Sequence, residues 1–162
     1  MITPTEFVEL FESQRAPTET LFRTVTAEML SWKATERSFT TSQLMVHMAG
    51  AASVYARGIA NADWGFTSMR EVLVRNRHTP EASVEEAVQL LHTGFDDMRT
   101  LVSALSEEAF EQEVTAPQFG KPTPRWRVAL FGFEHHVTHK AELFMYMKMQ
   151  GANVHTGTLY RG

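Results

Sequence analysis

An all-α fold, a four-helix bundle carrying one short extra helix, is what the 162-residue sequence predicts. Apolar residues recur at three- and four-residue spacing through four long stretches, the pattern of helices that bury one face. Ser and Thr residues suited to N-capping stand ahead of two of these stretches, and strand signals are scarce. Four such helices in a chain of this size close around one core, so a single domain over residues 1–162 is expected.

The first stretch runs from Thr5 to about Thr26 through Phe7, Leu10, Phe11, Leu21, Phe22 and Val25. Pro17 interrupts it, which predicts either a kink there or two helical pieces. Ser31 to Thr40 is mostly polar and reads as a connection. Thr40, Thr41 and Ser42 offer N-caps for a second helix reaching about Ala60, which Asn61-Ala62-Asp63 ends. Trp64-Gly65-Phe66 opens a loop, and the short extra helix is placed at Ser68 to Arg77, closed by His78-Thr79-Pro80. Ser83 with Glu86 forms a capping box for a third long helix that continues to about Leu105. Residues 106–124, with Pro117, Gly120, Pro122 and Pro124, read as a long connection. The last helix starts after Pro124 and stops at Gly151, leaving a short turn-rich tail.

Composition removes several function classes. Disorder does not fit a chain with 11 Phe, 3 Trp and 3 Tyr and a net charge of only −4. Nineteen acidic residues against 15 Lys and Arg argue against a nucleic-acid partner. Cysteine is absent, so there is no disulfide framework, thiolate nucleophile or Cys-based zinc site. The start of the chain lacks the basic and apolar regions of a signal peptide, and no apolar run is long enough to span a membrane. A soluble, cytoplasmic protein is expected.

The seven histidines are the informative residues. Within Glu134-His135-His136-Val137-Thr138-His139, His135 and His139 lie one turn apart on one helix face, and Glu142 falls within about 20° of His135. His136 points about 100° away. An i, i+4 imidazole pair can hold one metal ion, but a third ligand must come from another helix. His47 is the best candidate, because Leu44, Ala51, Val54, Tyr55 and Gly58 place it inside an apolar stripe. A core histidine in that setting can equally be a structural group satisfied by a hydrogen bond. His78, His92 and His155 read as surface or loop residues. Tyr55 and Tyr146 fall near the ligand stripes, as core residues or substrate-orienting ones. Trp126 with Arg125 or Arg127 is placed at the mouth of a pocket.

Two segments, Phe39-Thr40-Thr41-Ser42-Gln43-Leu44-Met45-Val46-His47-Met48-Ala49 and His135-His136-Val137-Thr138-His139-Lys140-Ala141-Glu142-Leu143 continuing to Gly151, resemble the signature of the DinB-like, or YfiT-like, superfamily. The likeness extends to Leu30-Ser31-Trp32-Lys33 and Leu159-Tyr160 and covers most of the chain. It implies an up-down-down-up bundle, often a homodimer. It also implies a divalent metal on three histidines that map to His47, His135 and His139. The activities it implies are those of a thiol-dependent S-transferase or isomerase using a low-molecular-weight thiol, or of a metal-dependent hydrolase. One departure stands out: the usual Arg-Gly-Gln after the last histidine is here Lys140-Ala141-Glu142.

Three neutral imidazoles would leave a coordination position open, which is the pattern of a catalytic rather than a structural site. Such a site lowers the pKa of a bound water or deprotonates a thiol, and any thiol must arrive on a small molecule. Zinc and nickel suit imidazole best, with iron or manganese as further candidates. Glu142 is the candidate acid/base group, with a role as a ligand-orienting acceptor, an extra ligand or a plain surface ion-pair partner also open. The other reading of the chain is a non-catalytic metal-binding or dimerising bundle. A di-iron carboxylate bundle fits less well, because its paired Glu-x-x-His motifs are missing.

Overall fold

Most helix starts in this protein are set by side chains that replace missing backbone partners. The structure, a computed structural model, describes residues 2–161; Met1 and Gly162, the ends of the expected single domain, lie outside the described residues. Thr3 caps α1 (Pro4–Glu12) and Thr40 caps α3 (Thr41–Asn61), with Glu6 and Gln43 completing the two capping boxes. Ser83 and Glu86 do the same for α5 (Val84–Asp97), as their spacing predicts. Between α1 and α3 runs α2 (Arg15–Thr24), and α4 (Met69–Arg77) is the short extra helix.

The first predicted helix is indeed two pieces. Its break falls at Ser13-Gln14, ahead of Pro17, which sits in the first turn of α2 where its missing N–H leaves no intrahelical bond unmade. A π-helical turn, Met98–Val102, extends α5 towards the predicted end near Leu105.

Residues 106–124 depart from the expected connection. They form a short helix, α6 (Glu107–Glu111), and a two-stranded hairpin of β1 (Glu113–Ala116) and β2 (Lys121–Pro124). Glu113 pairs with Pro124 and Ala116 with Lys121, and Gly120 supplies the left-handed turn residue at φ 64°. Helix α7 (Arg125–Met149) follows directly. The tail also holds a short helix, α8 (Thr156–Tyr160), capped by His155.

Contacts between the helices define their directions. Arg15 pairs with Asp96, His92 with Glu19, and Arg23 with Glu85, so α2 runs antiparallel to α5. Ser42 bonds the carbonyl of Ala82 while Gly94 lies against Ala49 and Ala52, so α3 and α5 run parallel. Arg125 Nε donates to the carbonyl of Ile59 at 2.8 Å, and Gln150 Nε2 to Thr41 Oγ1 at 3.2 Å, so α7 lies antiparallel along α3. These directions are consistent with an up-down-down-up four-helix bundle. One continuous cluster of buried apolar side chains, including Phe7, Phe11, Phe22, Leu44, Met48, Phe95 and Met147, fills the space between them. Among the described residues, no helix is long and apolar enough to cross a membrane.

Candidate metal centre

The antiparallel register of α3 and α7 determines which side chains meet. Arg125 and Gln150 tie α7 to the two ends of α3. Trp64 locks the same end: its indole N–H donates to the carbonyl of Thr115 at 3.0 Å, and its ring covers Gly58 so closely that a Cβ there would come within 2.3 Å. Between these ties, His47 on α3 faces His135 and His139 on α7. One ring nitrogen from each imidazole lies within 4.8 Å of the others, and no other group of three such ligands forms among the described residues.

The geometry suits a shared cation. His47 Nε2 and His135 Nε2 are 3.2 Å apart. Two imidazole nitrogens on one tetrahedral ion, each at about 2.0–2.1 Å, would stand about 3.3 Å apart. Ring centroids of the three histidines are separated by 4.5–5.1 Å. Phe39 stacks on His47 and Tyr55 leans on His135, which restricts both rings.

Charge state suits it as well. Burial, followed by repulsion from His139, pushes His47 down to about 4 and His135 down to about 3. Both are therefore neutral near pH 7, the form that offers a nitrogen lone pair. His139 Nδ1 donates to Glu142 Oε2 at 2.8 Å, and a carboxylate can only accept, so the proton sits on Nδ1 and the Nε2 lone pair is left available to a ligand. That bond is also the main cause holding the Glu142 carboxyl below the usual range. Glu142 thus orients a histidine. The Tyr146 hydroxyl is buried near Glu142 and Ser38 without meeting hydrogen-bond geometry to either.

All three histidines line a cavity of about 720 Å³, within the range of small-molecule sites. Its walls are largely apolar, built from Phe39, Val46, Val54, Tyr55, Phe66, Met69 and Val72, with Phe131 from α7. Tyr55 lines it, and burial pushes its phenol up. Tyr146 does not; it packs edge-on against Trp32 at 5.1 Å, away from the cavity.

Other sequence expectations shift. Arg125 is not at a pocket mouth, because its guanidinium is spent on the carbonyls of Ile59, Ala109 and Gln112. Trp126 and Arg127 line a smaller recess with Phe119 and Glu134 instead. His78 lines the main cavity, and His92 bonds Glu19 at 2.8 Å. His136 is the structural core histidine, its Nε2 2.9 Å from Thr18 Oγ1 and its ring between Phe11 and Phe95. Arg75, Asn76 and Gln118 also line the cavity, and no motif spacing marked them. For Arg75 and Asn76 the signal lay in α4, where Met69, Val72 and Asn76 recur at helical spacing.

Three convergent imidazoles lining an apolar cavity within a helical bundle form a donor set compatible with a divalent cation. A sequence model of the DinB superfamily matches residues 10–143, and the chain belongs to that superfamily. A DinB-like protein from Bacillus subtilis has a similar structure at TM-score 0.73 and 20% identity, with 97% of this chain and 99% of that one covered. A DinB-like protein from Bacillus cereus is similar at TM-score 0.73 and 16% identity, covering 93% and 95%. At these identities the likeness is one of fold. No curated protein matches the chain.

Proposed function

We propose that His47, His135 and His139 hold one divalent metal ion, zinc or nickel before iron or manganese, and that the protein is a metal-dependent enzyme acting on a small molecule in the adjoining cavity. The observation that carries this reading is the convergence of three ring nitrogens within 4.8 Å on the wall of a cavity. The ion would act as a Lewis acid with open positions, able to lower the pKa of a water or a thiol. The chain's own residues then do the rest. Glu142 holds His139 in the ligating tautomer, Phe39 and Tyr55 fix the other rings, and the apolar walls exclude bulk water.

The reaction is either transfer or isomerisation with a low-molecular-weight thiol, or metal-dependent hydrolysis. With no cysteine in the chain, the thiol is supplied by a small molecule. A non-catalytic, structural metal site would be closed by protein ligands, whereas these three imidazoles face a cavity, which favours the enzyme. We further propose a homodimer, for which exposed Leu10, Met145 and Met149 offer apolar surface. The test is an assay of zinc- and nickel-loaded protein, made without a histidine tag, for thiol conjugation and for ester and amide hydrolysis. Turnover lost in His139→Ala supports the reading. Metal-loaded protein inert towards every electrophile and ester tried, at any thiol concentration, would favour the non-catalytic bundle.

A further inference from the structure

Helix α4 buries none of its own residues and shares no substantial packing with another helix. Yet Met69, Val72, Arg75 and Asn76, which recur on one face, all line the cavity. A helix left this bare gains its packing from whatever fills the space beneath it. Among the described lining residues, Arg75 carries the one fixed charge, and no carboxylate joins it there. Glu71 sits one turn earlier and takes a hydrogen bond from Arg75 Nη2. Glu71 is itself anchored by the backbone N–H of Thr67 at 3.0 Å, so this ion pair orients the guanidinium through Nη2 while Nε and Nη1 have no hydrogen-bond partner among the described residues. Glu71 offsets part of the Arg75 charge from outside the lining, while the neutral imidazoles add none, so a metal ion on them would be the second source of positive potential in the cavity.

We propose that the cavity takes a small amphipathic anion, its apolar body against Phe66, Val72 and Val54 and its oxyanion held by Arg75 on the α4 wall. Arg75 is thus a specificity-determining residue for the substrate or the thiol that enters. The inference deepens the metal-dependent reading of this site and rests on it for the second anchor, the metal. A planar guanidinium suits either a carboxylate or a phosphate-like group, so both belong to the ligand class.

The test titrates a chain-length series of ω-mercaptoalkanoic acids, the matching phosphonates and the matching primary amides into zinc-loaded protein by calorimetry. The acids are expected to bind about tenfold more tightly than the amides at the best chain length. Arg75→Gln should abolish that preference and Arg75→Lys should keep part of it; whichever acid binds tighter identifies the oxyanion. Circular dichroism and zinc content of each variant confirm that fold and metal site are intact. Equal binding of acids and amides, a preference that survives Arg75→Gln, or no binding of any probe would overturn the inference. The same acids and amides without the thiol are titrated into metal-free protein, where the Arg75-dependent preference must also appear. Zinc content on the same samples tests the metal reading separately, so failure of one does not pass for failure of the other.

Discussion

Glu142 accepts a hydrogen bond from His139 Nδ1 at 2.8 Å, and this contact gives the departure from the usual Arg-Gly-Gln sequence a physical role. Replacing it with Gln keeps the shape but offers an amide that can donate as well as accept, so the His139 tautomer is no longer imposed. Glu142→Gln is expected to weaken zinc binding by about 10–100-fold, as partners of metal-bound histidines commonly do, measured by competition with a chromophoric chelator. Unchanged affinity would remove Glu142 from the site. His136 offers the contrasting case, a histidine with a purely structural partner. Thr18→Val keeps the volume and strands the buried His136 Nε2, so a loss of about 1–3 kcal/mol is expected from urea unfolding, with zinc affinity unchanged. His136 is the immediate neighbour of His135 in sequence, yet their direction on α7 separates ligand candidate from core. Helical spacing made that direction readable, whereas the partner of His136 was not, because Thr18 lies 118 residues away.

Between helices, small residues set how closely neighbouring helices approach, as at the contact of α5 with α3. A Cβ on Gly94 would lie 2.7 Å from the carbonyl oxygen of Ala49 and 2.7 Å from Ala52 Cβ, so α5 cannot approach α3 as it does with any larger residue. Gly94→Ala is expected to cost about 1–3 kcal/mol by overpacking, measured by thermal or urea unfolding. Gly50 is the control on the facing helix: a Cβ there meets only Leu90 Cδ2 at an ordinary 3.8 Å. Gly50→Ala should be neutral or stabilising by up to about 1 kcal/mol, since alanine is the better helix former. Equal destabilisation by both would contradict the close contact seen at Gly94. The helices themselves were legible because capping residues and apolar spacing are local signals, as at Thr40, Ser83 and Gly151. The hairpin was not: β1 has only four residues, and Pro122 and Pro124 in β2 read as breakers though they sit where edge-strand prolines are tolerated. The role of Arg125 was also hidden, because its acceptors on Ile59 and Ala109 are brought near only by the fold.

For the whole molecule, the buried histidines make stability depend on pH in a definite direction. Folding pushes His47 down to about 4 and His135 and His136 down to about 3, from 6.5 in the unfolded chain. Their native forms are neutral, so their contribution is fully present above pH 6.5, where folded and unfolded chains both leave them unprotonated. Below that, the unfolded chain takes up protons the native state excludes, and stability is lost progressively as pH falls towards the folded values. Most of the carboxylates begin from 4.5 or below, so the slope between about pH 6.5 and 4.5 belongs to the histidines. Urea unfolding of metal-free protein across that window should show falling stability, and a shallower fall in His136→Gln. A flat profile would mean these imidazoles are hydrated in solution. Added zinc should raise the unfolding temperature in proportion to the logarithm of its concentration, and a chelator should reverse it.

The most direct measurement is the metal content of protein made without a histidine tag, by elemental analysis after incubation with zinc or nickel and removal of the excess. It should be run on wild type and on His47→Ala, His135→Ala and His139→Ala, each checked for helical content. About one divalent ion per chain in the wild type, lost in each folded variant, is the expected result. No bound metal in the wild type, or binding that survives all three substitutions, would contradict the three-histidine centre.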